Sequence, residues 1–151
     1  MSELSEAELS RAELTGAELK RAVIAASAYF LALFAVGFVL GTVRVLVAEP
    51  RLGRLVATLI ELPVMLTIAY FACRWAIRRW HVVRHPIARW GMVLWFMILL
   101  LSFETVLGMV LFGRTVADQL AAMTAPAGLL GLSAQVIAAL LPVFVGMSKS
   151  R

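Results

Sequence analysis

Cysteine occurs once in the 151 residues, as Cys73. One cysteine excludes an intrachain disulfide and any multi-thiolate metal site. Lying among arginines at the end of an apolar run, it reads as a small buried or interfacial residue. Histidine is nearly as scarce, with only His81 and His85 present. They stand four apart in an arginine-rich connection, followed at once by Pro86 and with no carboxylate close by. Arginines repel a cation, so no metal site is expected there. Two histidines on one turn also cannot flank a haem from opposite sides. No serine, histidine and acid share a depth that would suit a hydrolase triad, and no glycine-rich phosphate loop follows a strand pattern. Neither an enzyme nor a bound cofactor is expected.

Charge is sparse too. Only 15% of residues are charged and 62% are hydrophobic, against about 25% and about 45–50% in ordinary soluble domains. The mean hydropathy is +0.94. Such a chain has the bilayer as its solvent. Its net charge of +5 therefore reads as the bias that orients a membrane protein, and no nucleic-acid partner is expected.

Four apolar runs are present, at about 22–47, 55–77, 90–112 and 127–147. Each approaches the roughly 20 residues that cross a hydrocarbon core of about 30 Å. Backbone groups in lipid must be paired within the segment, so these spans are expected to be helices. The expected fold is all-α: a polytopic membrane protein with four transmembrane helices in an up-down bundle. Residues 1–21 form a polar N-terminal segment, 22–147 the transmembrane domain and 148–151 a tail. The first run is too long for a signal-peptide core, so no cleavage is expected.

Lys20 and Arg21 precede the first span, and Lys149 and Arg151 follow the fourth. Arg74, Arg78, Arg79, Arg84 and Arg89 cluster about the connection between the second and third. With Arg11 they make 10 of the 14 lysines and arginines on one side of a four-span protein. The bias places both termini in the cytoplasm. The five clustered arginines are expected to face anionic lipid, and Trp75, Trp80 and Trp90 to form an interfacial belt beside them. Trp95 lies deeper and is expected to pack. At the other end, Thr115 and Asp118 can start a short helix that lays Val116, Leu120 and Met123 on the membrane surface. A plain loop is the alternative.

Ionisable side chains inside apolar spans cost roughly 2.5–3.5 kcal/mol each on insertion scales, so they need partners or a task. Glu61 lies about 9 Å into the second span from its outer end. Glu104 and Gln135 lie about 12 Å deep in the third and fourth. Arg44, near the end of the first span, can reach inward or snorkel outward. Each helix thus contributes one strong polar group to a single outer-half layer, with Arg44 the expected countercharge to Glu61, Glu104 or both. Gly37, Gly41 and Arg44 share a helical stripe. A GxxxG stripe of this kind, and Gly128 with Gly131 on the fourth span, would let helices approach closely. Pro63 and Pro142 are expected to kink their helices.

Residues 2–21 carry a five-residue rhythm, clearest in Ala7-Glu8-Leu9-Ser10-Arg11, Ala12-Glu13-Leu14-Thr15-Gly16 and Ala17-Glu18-Leu19-Lys20-Arg21. It resembles the pentapeptide repeats, whose unit is Ala-(Asp/Asn)-Leu-x-x and whose fold is a square β-helix. The match allows one coil at most, with glutamate at the Asp/Asn position. Stacked repeats need about three units to bury a core. Alanine, glutamate, leucine, lysine and arginine favour helix, and Thr15 with Glu18 can form a capping box. A frayed or surface helix leading into the membrane is the preferred reading.

Gly41-Thr42-Val43-Arg44-Val45-Leu46, Pro50-Arg51-Leu52-Gly53, Glu61-Leu62-Pro63 and Arg74-Trp75 resemble a family of small four-span bacterial inner-membrane proteins of uncharacterised activity. The resemblance covers residues 37–79, under a third of the chain. It implies a bacterial inner-membrane location and two helical hairpins packed together, but no activity.

The polar layer admits three readings. It can be a structural clamp that fixes helix pairing, a proton or ion pathway, or a site for a ligand or lipid headgroup. The clamp needs least and is preferred. It describes a non-enzymatic accessory or self-associating membrane component, either a homo-oligomer or the subunit of a membrane-protein partner. The competing reading is a small oligomeric proton-coupled transporter or channel. One arginine leaves one of Glu61 and Glu104 without a countercharge, and a proton is the natural substitute.

Overall fold

The computed structural model describes residues 16–113 and 115–145. The five-residue rhythm before Gly16, Arg114, the end of the fourth predicted span and the tail at 148–151 lie outside the described residues.

The first span is one long helical rod in three pieces. Helix α1 (Gly16–Val43) runs into a π turn at Arg44–Ala48 and then into α2 (Glu49–Leu52). The π turn has a cause two residues downstream. Pro50 has no N–H to offer the carbonyl of Leu46, and its ring crowds that oxygen. Just before it, the helix widens, and the N–H of Glu49 bonds the carbonyl of Arg44 instead of that of Val45. The rod stops at Gly53, whose φ of 78° lies where side-chain-bearing residues are strained.

Helix α3 (Arg54–Arg79) returns across the membrane and passes through Pro63 without breaking in two. Arg78 and Arg79 in its last turn suit the negative end of the helix dipole. After a turn at His81, helix α4 (Pro86–Phe112) begins. Pro86 pre-sets its first turn, and His85 Nδ1 accepts a hydrogen bond from the N–H of Ile87 at 3.3 Å. Gly113, in the left-handed region, ends it.

The segment after Gly113 contains a short helix, α5 (Val116–Thr124). The Thr115 hydroxyl accepts from the Asp118 N–H, and the Asp118 carboxylate accepts from the Thr115 N–H at 3.0 Å. Val116 and Leu120 are exposed along its outer side and Met123 is half-buried. Helix α6 (Pro126–Phe144) completes the bundle, with Pro142 near its end.

Helix α1 packs against α3 and α4, and α6 packs against the same two. Consecutive helices α3 and α4 therefore face each other across a diagonal. The hairpin α1–α3 lies against the hairpin α4–α6. Among the described residues, four helices are long and apolar enough to cross a membrane. Large apolar side chains such as Leu31, Phe71, Leu94, Val110 and Phe144 point outward, as lipid contact requires. This is a multi-pass helical membrane protein.

The two ends of the bundle differ. At the basic end, next to residues 80–85, packing is dense. Ala22, Ala25, Ala26, Ala69, Ala76, Ala88, Ala138 and Ala139 are buried and keep the helices close. Tyr29 stacks on Phe96 with ring centroids 4.8 Å apart, and its hydroxyl donates to the Ala138 carbonyl at 2.8 Å. Trp95 Nε1 donates to Ser27 Oγ at 2.9 Å, joining α4 to α1. At the hairpin end, beside Gly53 and α5, the same four helices part around a cavity.

Candidate functional site

The cavity has a volume of about 690 Å³, within the range of small-molecule sites. Phe30 and Phe96 lie deepest, at the edge of the packed half, and α5 forms part of the wall. Its polar lining divides into two clusters.

Arg44 is the centre of the first. Its Nε lies 2.8 Å from Glu61 Oε2, and its Nη1 lies 3.2 Å from Glu49 Oε1. Nη1 also donates to Thr58 Oγ1 at 3.1 Å, and that hydroxyl donates to the Arg54 carbonyl. The Arg44–Glu61 contact is an ion pair without the alignment of a hydrogen bond. One guanidinium thus serves two carboxylates, on its own rod and on α3. Glu49 reaches it because a turn closed by i→i+5 bonds brings residue i+5 over residue i, where a regular α turn would swing it aside. The side chains keep 19–26% of their surface exposed, so the cluster is sheltered without being sealed.

The second cluster belongs to α4, α5 and α6. Gln135 Nε2 donates to Glu104 Oε2 at 3.2 Å. Gln119, on α5, donates from Nε2 to the backbone carbonyl of Glu104 at 2.6 Å. Gly108 permits this, because a Cβ there would collide with the Gln119 amide. Gln119 is 9% exposed, and its Oε1 has no hydrogen-bond partner. Among the described residues, no cation lies within ion-pairing distance of Glu104.

The four residues expected to form one layer are therefore joined as two pairs, Arg44 with Glu61 and Glu104 with Gln135. Arg44 does not pair with Glu104; the second carboxylate at its guanidinium is Glu49. Sequence reasoning missed Glu49, since five residues is the wrong spacing on an α-helix. Its adjacency to Pro50 was the available signal. Gln119 was missed as well. It interrupts the apolar stripe Val116, Leu120 and Met123, and a polar residue in such a stripe needs a partner.

The glycines also divide. A Cβ on Gly37 would press on Met65 of α3 at 3.3 Å, and one on Gly128 would collide with the Ala122 carbonyl of α5. Gly41 and Gly131 face open space along the cavity. The expected close helix approach along the Gly37–Gly41 stripe is thus not made: beside Gly37 lies only the end of the Met65 side chain, and beside Gly41 nothing among the described residues. The buried alanines of the basic end bring the helices together instead.

Arg89 stands apart from the other clustered arginines. It is 7% exposed and donates to the carbonyls of Val83, Val82 and Pro142 at 3.2, 3.4 and 3.3 Å. Pro142 lies in the last turn of α6, where carbonyls lack helical partners and a cation is favoured. Burial removes Arg89 from the lipid-facing set expected from sequence. Arg74, Arg78, Arg79 and Arg84 remain exposed. Three of them, with Phe71 and Trp75, border a surface groove of about 430 Å³.

No protein-family model matches the chain, and neither a curated protein nor a solved structure matches it.

Proposed function

We propose that this chain is a non-enzymatic component of a bacterial inner membrane, with both termini cytoplasmic, that works by association as an accessory or self-associating subunit. The observation that carries this reading is the division of the polar layer into two internally bonded clusters. Arg44 ties the first span to α3 through Glu61 and Thr58, and Gln119 and Gln135 tie α5 and α6 to Glu104. Polar groups bonded across helices in this way fix helix pairing. The exposed arginines Arg74, Arg78, Arg79 and Arg84, beside Trp75, suit anionic lipid at the cytoplasmic surface. Native co-purification in mild detergent tests the proposal. A stoichiometric partner or a defined homo-oligomer is expected, whereas a partnerless monomer would contradict association.

A second reading, a small oligomeric proton-coupled transporter or channel using Glu61 and Glu104, draws on one observation. Glu104 lines the cavity, and no cation among the described residues lies beside it. Purified protein in liposomes would then carry protons, and Glu61→Gln or Glu104→Gln would abolish the flux. Flux that is absent, or unchanged in both variants, eliminates this reading.

A further inference from the structure

We propose that the hairpin-end cavity is a binding site for an amphipathic organic cation. The site has an apolar body and an acceptor-rich corner. Phe30, Phe34, Phe38 and Met65 line the body. The corner holds one carboxylate that the fold leaves without a countercharge. Glu104 accepts a side-chain hydrogen bond on Oε2 from Gln135, and no cation among the described residues reaches it. Gln119, held by its Nε2 on the Glu104 carbonyl, closes the wall beside it, with Oε1 sealed from the cavity.

The cationic groups around the cavity do not supply what is missing. Arg44 is held between Glu49 and Glu61. Arg54 lines the cavity from the first turn of α3 and is exposed. Among the described residues, and with Glu49 included, three carboxylates stand against these two guanidiniums.

A ligand with a cationic, hydrogen-donating head answers Glu104, and its apolar body fills the aromatic part. Phenyl rings also attract a cation through their faces. An anion would meet Glu104 directly, and a purely apolar molecule would leave the carboxylate without a further donor.

4-Phenylbutylammonium and 5-phenylpentanoate test this, being alike in shape and opposite in charge, with N–H donors on the cation alone. Each is titrated into the full chain in nanodiscs and followed by equilibrium dialysis. The cation is expected to bind saturably at one site per chain, and the anion to show only non-saturable partition into lipid. Glu104→Gln preserves side-chain size and should weaken cation binding by at least about tenfold. Gly131→Leu should weaken it similarly by filling the cavity, since nothing lies within 4 Å of a Cβ at Gly131. Size-exclusion profiles and thermal unfolding check that both variants fold. Equal binding of the two ions, no saturation by the cation, or unchanged affinity in Glu104→Gln overturns the site. If Glu104→Gln does not fold, unchanged affinity in Gly131→Leu overturns it alone. None of these results bears on association or on the Arg44–Glu61 pair, so this inference can fail by itself.

Discussion

Arg44 and Glu49 lie five residues apart on one helical rod and 3.2 Å apart in space, because the turn between them is π. Pro50 is the reason for the wide turn. Pro50→Ala restores a donor and removes the ring, so the turn is expected to tighten to α and carry Glu49 away from Arg44. In the native background, Glu49→Gln should reduce stability by about 0.5–1 kcal/mol, as for a partly exposed ion pair. In the Pro50→Ala background the same substitution should change almost nothing. Reversible unfolding in mixed micelles measures both. An equal effect of Glu49→Gln in the two backgrounds would show that the π turn does not create the contact.

Arg89→Met is expected to loosen the basic end. It removes three donors from the carbonyls of Val82, Val83 and Pro142 and keeps only an unbranched apolar stem. Stranding buried carbonyls costs about 1–3 kcal/mol. Arg78→Met, on an exposed arginine, should stay within about 0.5 kcal/mol. Parallel unfolding curves of the two variants provide the check, and similar losses would mean that Arg89 does not clamp the bundle.

Gly128→Ala and Gly131→Ala are expected to diverge although they lie three residues apart on α6. The new methyl at 128 collides with the Ala122 carbonyl, backbone that can yield only if α5 moves. A loss of about 1–3 kcal/mol is expected, as for overpacking. At 131 the methyl meets open space, and alanine favours helix by about 1 kcal/mol over glycine. Thermal unfolding should therefore rank Gly131→Ala at or above the native chain and Gly128→Ala below it.

These contrasts mark what the sequence could and could not disclose. The presence of four spanning helices was readable because lipid imposes length and apolarity together. The spacing of Thr115 and Asp118 offered a cap after Gly113 but did not decide between helix and loop; the helix forms with that cap closed. The partners of Arg44 were not readable. Choosing between Glu61 and Glu104 requires knowing how the helices pack, and adding Glu49 requires the π turn. The lipid-facing assignment of Arg89 failed for a related reason. Its position near a helix start resembles that of a flanking arginine, yet it faces carbonyls brought together from the 82–83 connection and the end of α6. Gly41 and Gly131 satisfied a packing pattern, but the helices part at that end, so the pattern borders a cavity there.

The division of the polar layer into two clusters can be measured by a pair of double-mutant cycles. Arg44→Ala is combined with Glu61→Ala in one cycle and with Glu104→Ala in the other, each followed by unfolding in bilayer-like micelles. A coupling of about 1–2 kcal/mol is expected between Arg44 and Glu61, between the values for exposed and buried pairs. Coupling of Arg44 to Glu104 is expected to be near zero. A strong Arg44–Glu104 coupling, or none between Arg44 and Glu61, would contradict that division.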